Sequence, residues 1–481
     1  MGTEDLLHST PSAEGVDPAG IEAFLDAIDA APQIEPHSLI VARHGKVIAE
    51  GWWSPYSPER VHLLYSLSKS FTSTAAGIAI AEGLLDLDAT VLSYFPELDA
   101  EITDPRSRAM KVRHIAAMAS GHATETLDRA RHIDPENLVH GFLLIPPDSE
   151  PGTVFAYNQP CTYSLAAIIQ RQSGRTLVDY LRPRLFEPLG IEAAAWIESP
   201  PGQNIGFSGF HTTTDAIVRL GLLYLQGGRW GDRQLLDPAW VAEATSKQVD
   251  NPNEVNPDWS QGYGFQFWIA RHGYRGDGAY GQFCIVLPEQ DMVIATTAAT
   301  EDMQGILDAV WLHVLPAIDS GGGDDGSNQA ADERLADRLA HGVLPLRPTK
   351  AEPEDRTLWD GVTFLSTTTA AAAPWPPVAG PQLTTVELRT TGERWELALT
   401  DAGGGLRAAV GSDSWAVTET DGVPVAVSGG WSDSDTFVAD VIFLETAHTL
   451  RITCSGSDRS LSSVWTTIPL HPRSLVELRK P

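Results

Sequence analysis

The chain reads His62-Leu-Leu-Tyr-Ser66-Leu-Ser-Lys69-Ser-Phe-Thr72 where an apolar, helix-like segment begins. Ser66 and Lys69 stand in the spacing S-x-x-K, and residues three apart on a helix share a face. The Lys69 amine can therefore reach the Ser66 hydroxyl, and a partly desolvated lysine has a lowered pKa that lets it take a serine proton. The chain has only six lysines, which makes this pairing notable. The alternative interpretation is a helix-capping serine beside a solvated lysine.

The segments around this motif predict a domain that mixes strands and helices. Residues 37–53 contain two apolar runs on either side of His44-Gly45, a pattern typical of a β-hairpin. Apolar residues then recur at helical spacing from about Ser66 to Glu82, before Gly83. Further helices are predicted around 112–118, 163–172, 213–225 and 303–315, and strands at 264–270, 283–287 and 292–297.

A second polar motif is Glu150-Pro-Gly-Thr-Val-Phe-Ala-Tyr157-Asn158-Gln159, which precedes another predicted helix. Together with the S-x-x-K segment, it resembles motifs of the serine β-lactamase/penicillin-binding-protein superfamily. The resemblance is greatest to the class C β-lactamase-like and family VIII carboxylesterase branches, and it covers about residues 10–318. It implies an α+β fold: an antiparallel sheet flanked by helices, with an inserted helical subdomain and a cleft between them.

The resemblance also implies roles for three side chains. Ser66 would be the nucleophile, Lys69 its partner, and Tyr157 a second general base or acid. A tyrosine with its ordinary pKa near 10 is a poor base. A cationic Lys69 beside Tyr157 would stabilise the phenolate, so we expect the two side chains to be neighbours.

Two motifs depart from the pattern of this superfamily. Its second motif is Tyr-x-Asn, whereas this chain has Gln159 at the third position, so the usual contact to an acyl amide is altered. The third motif usually carries a basic residue or tryptophan at the position that Gly276 occupies here. We expect Gln159 and Asn158 to contact substrate, but the missing cation argues against recognition of a penicillin carboxylate.

The third motif retains its own glycine, Gly278, in the run Arg275-Gly-Asp-Gly-Ala-Tyr-Gly281. The backbone N–H of Ala279 could therefore join that of Ser66 in an oxyanion hole. Asp277, Gly278 and Tyr280 are further candidates for substrate contact, although Asp277-Gly278 also fits a simple turn. The formal G-x-G-x-x-G of this run leads into a strand, which excludes a dinucleotide-binding loop.

Composition divides the chain into three parts: a catalytic domain at 1–318, a connecting segment at 319–382 and a β domain at 383–481. The connecting segment begins with a Gly- and Asp-rich stretch that cannot bury a core. The last part contains short alternating runs typical of a small antiparallel barrel. It resembles the lipocalin-like barrels appended to some relatives of the superfamily.

The formal net charge of −30 disfavours nucleic acid and anionic membranes as partners. Cys161, Cys284 and Cys454 are far apart, so the sequence predicts neither a disulfide framework nor a cysteine zinc site. The beginning of the chain lacks the pattern of a secretory signal, and a cytoplasmic protein is expected. No metal or cofactor is expected, and the oligomeric state stays open.

Three functions fit these observations. The first is a serine hydrolase that cleaves small esters or peptide-like amides through a Ser66 acyl-enzyme. The second is an acyltransferase or peptide-cyclising thioesterase that passes the same acyl group to an amine or alcohol. The third is a catalytically degenerate binding or sensor protein, which the altered second and third motifs would allow.

Overall fold

The computed structural model describes residues 6–319, 327–350, 352–366, 380–420, 422–470, 472 and 474–481. The predicted glycine-rich linker and the Ala/Pro-rich stretch fall mainly at 320–326 and 367–379, which lie outside the described residues.

The α-helices of the described residues are α1 (Pro18–Asp29), α2 (Ser68–Ala81), α3 (Pro105–Ala109), α4 (Val112–Ala116), α5 (Leu127–Ile133), α6 (Leu138–Leu143), α7 (Gln159–Ser173), α8 (Leu177–Leu181), α9 (Glu187–Leu189), α10 (Thr214–Leu225), α11 (Pro238–Ala244), α12 (Met303–Ala309) and α13 (Ser327–Ala340). The strands of the first part are β1 (Leu7–His8), β2 (Glu35–Arg43), β3 (Lys46–Trp52), β4 (His62–Leu63), β5 (Ala194–Trp196), β6 (Phe210–Thr212), β7 (Arg229–Trp230), β8 (Arg233–Gln234), β9 (Trp268–Ile269), β10 (Tyr274–Gly278), β11 (Gln282–Leu287) and β12 (Met292–Ala299). Those of the last part are β13 (Val362–Ser366), β14 (Thr385–Thr391), β15 (Arg394–Asp401), β16 (Gly404–Ala409), β17 (Ala416–Thr420), β18 (Val423–Asp433), β19 (Thr436–Phe443), β20 (His448–Ser455) and β21 (Ser460–Trp465).

The central sheet has, within the described residues, seven strands in the order β1-β3-β2-β12-β11-β10-β9. Its strands pair antiparallel, apart from the short parallel pair of β1 with β3. The predicted hairpin is confirmed as β2 and β3, and its turn residues His44 and Gly45 have φ of 52° and 73°. This sheet with helices around it is the predicted α+β class.

The predicted strand at 264–270 is shorter in the structure, which has only β9 there. The Phe265 amide donates to the Ala244 carbonyl, and the Gly264 amide donates to Phe267. Because these backbone groups bond to α11 and within the loop, they are not available to a neighbouring strand. The predicted helix at 303–315 begins as α12 and changes to a π-helical turn at Val310–Val314.

Helix α2 lies in the interior between the sheet and the helical part of the domain. Its residues from Ser68 to Ala79 are all buried, with Phe71 and Ala75 in the main core. Gly77 packs so closely against Trp240 that a Cβ atom there would lie 2.4 Å from the indole. A helix buried on all sides places its one lysine in a dry environment.

The last part of the chain folds as a nearly closed barrel of, within the described residues, nine strands in the order β16-β15-β14-β13-β21-β20-β19-β18-β17. Pairing is antiparallel except between β13 and β21. The Ala409 amide donates to the Thr418 hydroxyl at 3.1 Å, which links the two end strands. The interior is apolar, with Phe364, Phe437 and Ile452 fully buried. The predicted barrel is confirmed.

The segment between the two domains contributes to both of them. Helix α13 packs on β3 and α1, with Leu335 and Leu339 in the core behind the central sheet. Strand β13 belongs to the barrel sheet. Among the described residues, no helix combines the length and the apolar character needed to cross a membrane.

Candidate active site

Ser66 lies in the short 3-10 turn Tyr65–Leu67 that leads directly into α2. Tyr65 has a left-handed φ of 47°, a conformation that is rare for a residue other than glycine and is concentrated at functional sites. The turn brings Ser66 to the end of β10, at the junction of sheet, helices and barrel.

Lys69 is the buried partner of Ser66. Its Nζ atom donates to the Ser66 Oγ atom at 2.9 Å and to the Phe207 carbonyl oxygen at 2.7 Å. The side chain is 1% exposed, and burial lowers the pKa of Lys69 to about 7, although Glu125 and Asp277 oppose this shift. A substantial fraction of the amine is therefore neutral near neutral pH and able to accept a proton.

Tyr157 completes the group around the serine. The Lys69 Nζ atom lies 4.7 Å from the centre of the Tyr157 ring, and the ring stacks on Trp268 with 5.3 Å between centres. Burial raises the pKa of Tyr157 above its ordinary value, and a side-chain hydrogen bond with Ser66 only partly opposes this. The expected phenolate is therefore disfavoured, since the loss of solvent outweighs any stabilisation by Lys69.

A pocket of about 200 Å³ opens beside the serine. Its lining consists of Tyr65, Ser66, Glu125, Leu127, Asp128, Gln159, Phe207, Ser208, Ala279 and Leu470. The structure thus brings Ser66, Gln159 and Ala279 to one cavity, as the motifs predict. Leu470 belongs to the barrel part of the chain, so both domains contribute to this pocket.

Glu125 is a pocket residue that the motifs did not identify. The residue is exposed, but its carboxylate turns inward and accepts the backbone N–H groups of Thr126, Leu127 and Gln159 at 3.0–3.1 Å. Desolvation raises the pKa of Glu125, against the effect of these N–H groups and of Lys69. Glu125 also borders a second cavity of about 430 Å³ on the Tyr157 side.

Four of the predicted substrate contacts lie outside the lining of the pocket. Asn158 is fully buried and holds the Thr126 amide and hydroxyl with its Oδ1 atom, at 3.0 and 2.9 Å. Asp277 and Tyr280 are also buried. Gly278 faces the turn at Leu64, where a Cβ atom would lie 2.0 Å from the Leu64 carbonyl oxygen. These four residues are therefore packed around the pocket and do not line it.

Asp277 lies in strand β10, opposite Phe283, so its assignment to a turn is wrong. Its carboxylate accepts from the Arg275 Nε atom at 3.1 Å, and both side chains are buried. Burial raises the pKa of Asp277, while Arg275 and then Lys69 lower it. Arg275 also lies 4.2 Å from the centre of the Trp259 ring. A sequence cannot reveal that this arginine is buried beneath the site.

The position of the missing cation has no room for a side chain. A Cβ atom on Gly276 would lie 2.4 Å from the Ser70 Oγ atom and 2.5 Å from the Leu67 Cδ1 atom. Helix α2 therefore occupies the space into which a basic side chain at this strand position would point. Within the described residues, no group of three or more His, Cys, Asp or Glu side chains is placed to hold a metal ion.

A serine one helical turn from a buried lysine, at the edge of an antiparallel sheet, defines a β-lactamase-like protein. Residues 21–313, more than half of the chain, match the family model described as Beta-lactamase. The chain belongs to the beta-lactamase family.

Several curated relatives of this chain are named as hydrolases or esterases. The 6-aminohexanoate-dimer hydrolase of Paenarthrobacter ureafaciens is 26% identical over 310 residues, which cover 59% of this chain and 79% of the relative. The lovastatin esterase of Penicillium rubens is 29% identical over 168 residues, which cover 30% of this chain and 42% of the esterase. The chain is accordingly a hydrolase of the beta-lactamase family.

A solved structure shares both parts of the fold. The crystal structure of SurE superposes with a TM-score of 0.51 at 16% identity, and the match covers 90% of this chain and 94% of that chain. The likeness therefore extends through the barrel, and it concerns the fold alone.

The close approach of β10 to the serine turn generates a testable prediction. Gly278→Ala places a methyl group against the Leu64 backbone, which cannot move aside as a side chain can. We expect a loss of about 1–3 kcal/mol in the free energy of unfolding, measured by urea denaturation. Gly405→Ala in the barrel is the comparison: its Cβ atom would lie 3.2 Å from the Leu399 carbonyl oxygen, a milder contact, and a smaller loss is expected. Equal stability of Gly278→Ala and the unsubstituted protein would contradict this packing.

Proposed function

We propose that the protein hydrolyses small esters or peptide-like amides through an acyl-enzyme on Ser66. The observation that carries this proposal is the 2.9 Å contact of the Lys69 Nζ atom with the Ser66 Oγ atom, at an amine whose pKa burial lowers to about 7. This combination gives the serine a base of suitable strength within direct reach. Burying a lysine costs free energy because the charged amine loses its hydration, and a catalytically degenerate binding protein would gain nothing in return.

The neutral Lys69 amine takes the Ser66 hydroxyl proton as the Oγ atom attacks the substrate carbonyl carbon. The resulting oxyanion lies against the backbone N–H groups of Ser66 and Ala279. Collapse of this intermediate breaks the C–O or C–N bond of the substrate and leaves an acyl ester on Ser66. The leaving group departs with a proton, which balances the step.

Tyr157 can act as the proton donor, since its phenol is protonated at neutral pH and makes a side-chain hydrogen bond with Ser66. It would give its proton to the leaving group and be reprotonated by the Lys69 ammonium. In the second half of the reaction, water loses a proton to the same pair and attacks the acyl ester. The carboxylic acid is released, and the Ser66 hydroxyl is restored.

The charge of the cleft favours neutral or cationic acyl groups. Glu125 and Asp128 line the pocket beside Ser66, and Glu125, Asp250 and Glu254 line the neighbouring cavity. No lysine or arginine is among the described residues that line either of them. An anionic acyl group would meet these carboxylates, and the Lys69 amine beside Ser66, which is partly neutral at pH 7, would offset their charge only in part.

The first prediction of this proposal concerns the nucleophile. A fluorophosphonate probe should label the protein once, at Ser66, as located by peptide mapping, and Ser66→Ala should abolish both labelling and the hydrolysis of p-nitrophenyl butyrate. Ser73→Ala is the matched control. This serine lies on the same helix, but its hydroxyl donates to the Phe265 carbonyl oxygen and not to a group of the site. Labelling of another residue, or full activity of Ser66→Ala, overturns the proposal. Adding an amine acceptor and analysing the products separates hydrolysis from acyl transfer.

The second prediction concerns pH. Because Lys69 acts as a neutral amine with a pKa of about 7, kcat/KM for a neutral ester should rise with pH through that value and level off above it. Lys69→Arg keeps the charge at all pH values and should be inactive throughout. The control is Lys111→Met, which removes a surface lysine paired with Asp88. A flat profile between about pH 5.5 and 8.5 contradicts Lys69 as the base.

The third prediction concerns substrate charge. We expect kcat/KM for p-nitrophenyl butyrate to exceed that for the anionic p-nitrophenyl hemisuccinate by about tenfold or more. Glu125→Gln should lower this ratio because it removes a negative charge from the pocket. The amide oxygen can still accept the backbone N–H groups of the loop, so the loop should keep its conformation. Glu192→Gln, at an exposed position outside both cavities, should leave the ratio unchanged. An equal or reversed preference in the unsubstituted enzyme refutes the charge argument.

A further inference from the structure

Each of the two proposed oxyanion-hole residues has a tyrosine as its neighbour in the chain. Tyr65 precedes Ser66, and Tyr280 follows Ala279. Both tyrosines have left-handed backbone conformations, with φ of 47° and 72°. Such conformations persist only where the surroundings hold them in place. The barrel supplies part of those surroundings.

The Tyr65 hydroxyl lies 2.5 Å from the Nε2 atom of His448, at the start of β20. His448 Nδ1 lies 2.9 Å from the Thr467 carbonyl oxygen, which can only accept a hydrogen bond. Nδ1 therefore carries a proton, and in the neutral ring Nε2 accepts from Tyr65. The Leu470 amide in turn donates to the Tyr65 oxygen at 3.4 Å.

Tyr280 is held in a similar way. Its hydroxyl donates to the Ile468 carbonyl oxygen at 2.6 Å. The rings of Tyr65, Tyr280 and His448 lie edge to face in a single cluster, with centres 5.5–5.8 Å apart. The barrel segment that follows β21 therefore fixes the residues next to both backbone N–H groups.

The same segment reaches the substrate pocket. Leu470 lines the pocket of about 200 Å³ together with Ser66 and Ala279. The barrel also contacts the first domain away from this pocket. Tyr56 also donates to a barrel carbonyl, that of Thr446 at 3.1 Å, and it is not among the residues that line this pocket.

We infer that the C-terminal barrel completes the active site: His448 positions the oxyanion hole through Tyr65, and Leu470 limits the length of acyl chain that the pocket accepts. This inference rests on the proposed acyl-enzyme at Ser66. His448 is a positioning residue, since it touches Tyr65 and not the reacting atoms. Leu470 is a specificity residue.

The first test measures acyl-chain selectivity. Leu470→Ala enlarges the pocket, so the ratio of kcat/KM for p-nitrophenyl octanoate to that for the acetate should rise about fivefold or more. Leu470→Trp should lower the ratio. The control is Leu365→Ala, the same change at an exposed position on barrel strand β13. Because both esters are measured on one preparation, the ratio is independent of how much enzyme is folded.

The second test isolates the hydrogen bond between Tyr65 and His448. Tyr65→Phe removes only the hydroxyl, and we expect kcat to fall about tenfold with KM nearly unchanged, per active site titrated with the fluorophosphonate. His448→Ala should give a similar loss, and the double variant should be no worse than either single one. Tyr56→Phe removes a comparable bond to the barrel and should keep full kcat.

The outcomes separate the inference from the proposed function. If the unsubstituted protein is not acylated at Ser66, the proposed function falls and this inference falls with it. If Ser66 is acylated but the chain-length ratio and the kcat per titrated site stay at the values of the controls, only the role of the barrel is refuted. Additive losses in the double variant refute the positioning role of His448, even where His448→Ala folds poorly, because Tyr65→Phe is nearly isosteric.

Discussion

The burial of one amine, that of Lys69, is the constraint on which the rest of the site depends. A lysine in water stays charged at neutral pH, and only the removal of solvent brings its pKa down to about 7. That removal requires a helix covered on every side, which α2 provides. The Phe207 carbonyl oxygen and the face of Tyr157 satisfy the amine in place of water. The layers of the fold therefore exclude solvent from a single titrating group, the Lys69 amine.

The same dryness acts on Tyr157 in the opposite direction. Removal of solvent disfavours the phenolate as well as the ammonium, so burial raises the pKa of Tyr157 and lowers that of Lys69 instead of bringing the two values together. In the mechanism proposed above, Lys69 is therefore the base and Tyr157 the group that keeps its proton, although the motifs present both side chains as general bases or acids.

Local patterns in the sequence predicted the elements that carry the chemistry. The hairpin of β2 and β3 and the barrel follow from hydrophobic periodicity and turn residues, whereas the α+β class follows from the resemblance of the motifs to the β-lactamase/penicillin-binding-protein superfamily. The S-x-x-K spacing also led to the contact between Ser66 and Lys69. Such features depend on residues close together in the chain, where geometry follows directly from helix or strand period.

Other features of the site could not be predicted because they depend on contacts between distant segments. Glu125 gave no motif, and its inward turn depends on three backbone amides of the folded loop. Asp277 looked like a turn residue because nothing local shows that Arg275 lies buried beside it. Gly276 showed the absence of a cation, but only the packing shows that Ser70 fills the space.

The contact between Tyr65 and Leu470 joins residues 405 positions apart, which has a consequence for how the enzyme becomes active. The serine turn is synthesised early, whereas the segment that closes over it follows the last barrel strand. Contacts of such separation form late, because a long loop must close before they contribute any stability. A nascent chain would therefore carry the lysine–serine pair before His448 and Leu470 reach it, and the proposed oxyanion hole would take its final geometry only once the barrel has docked.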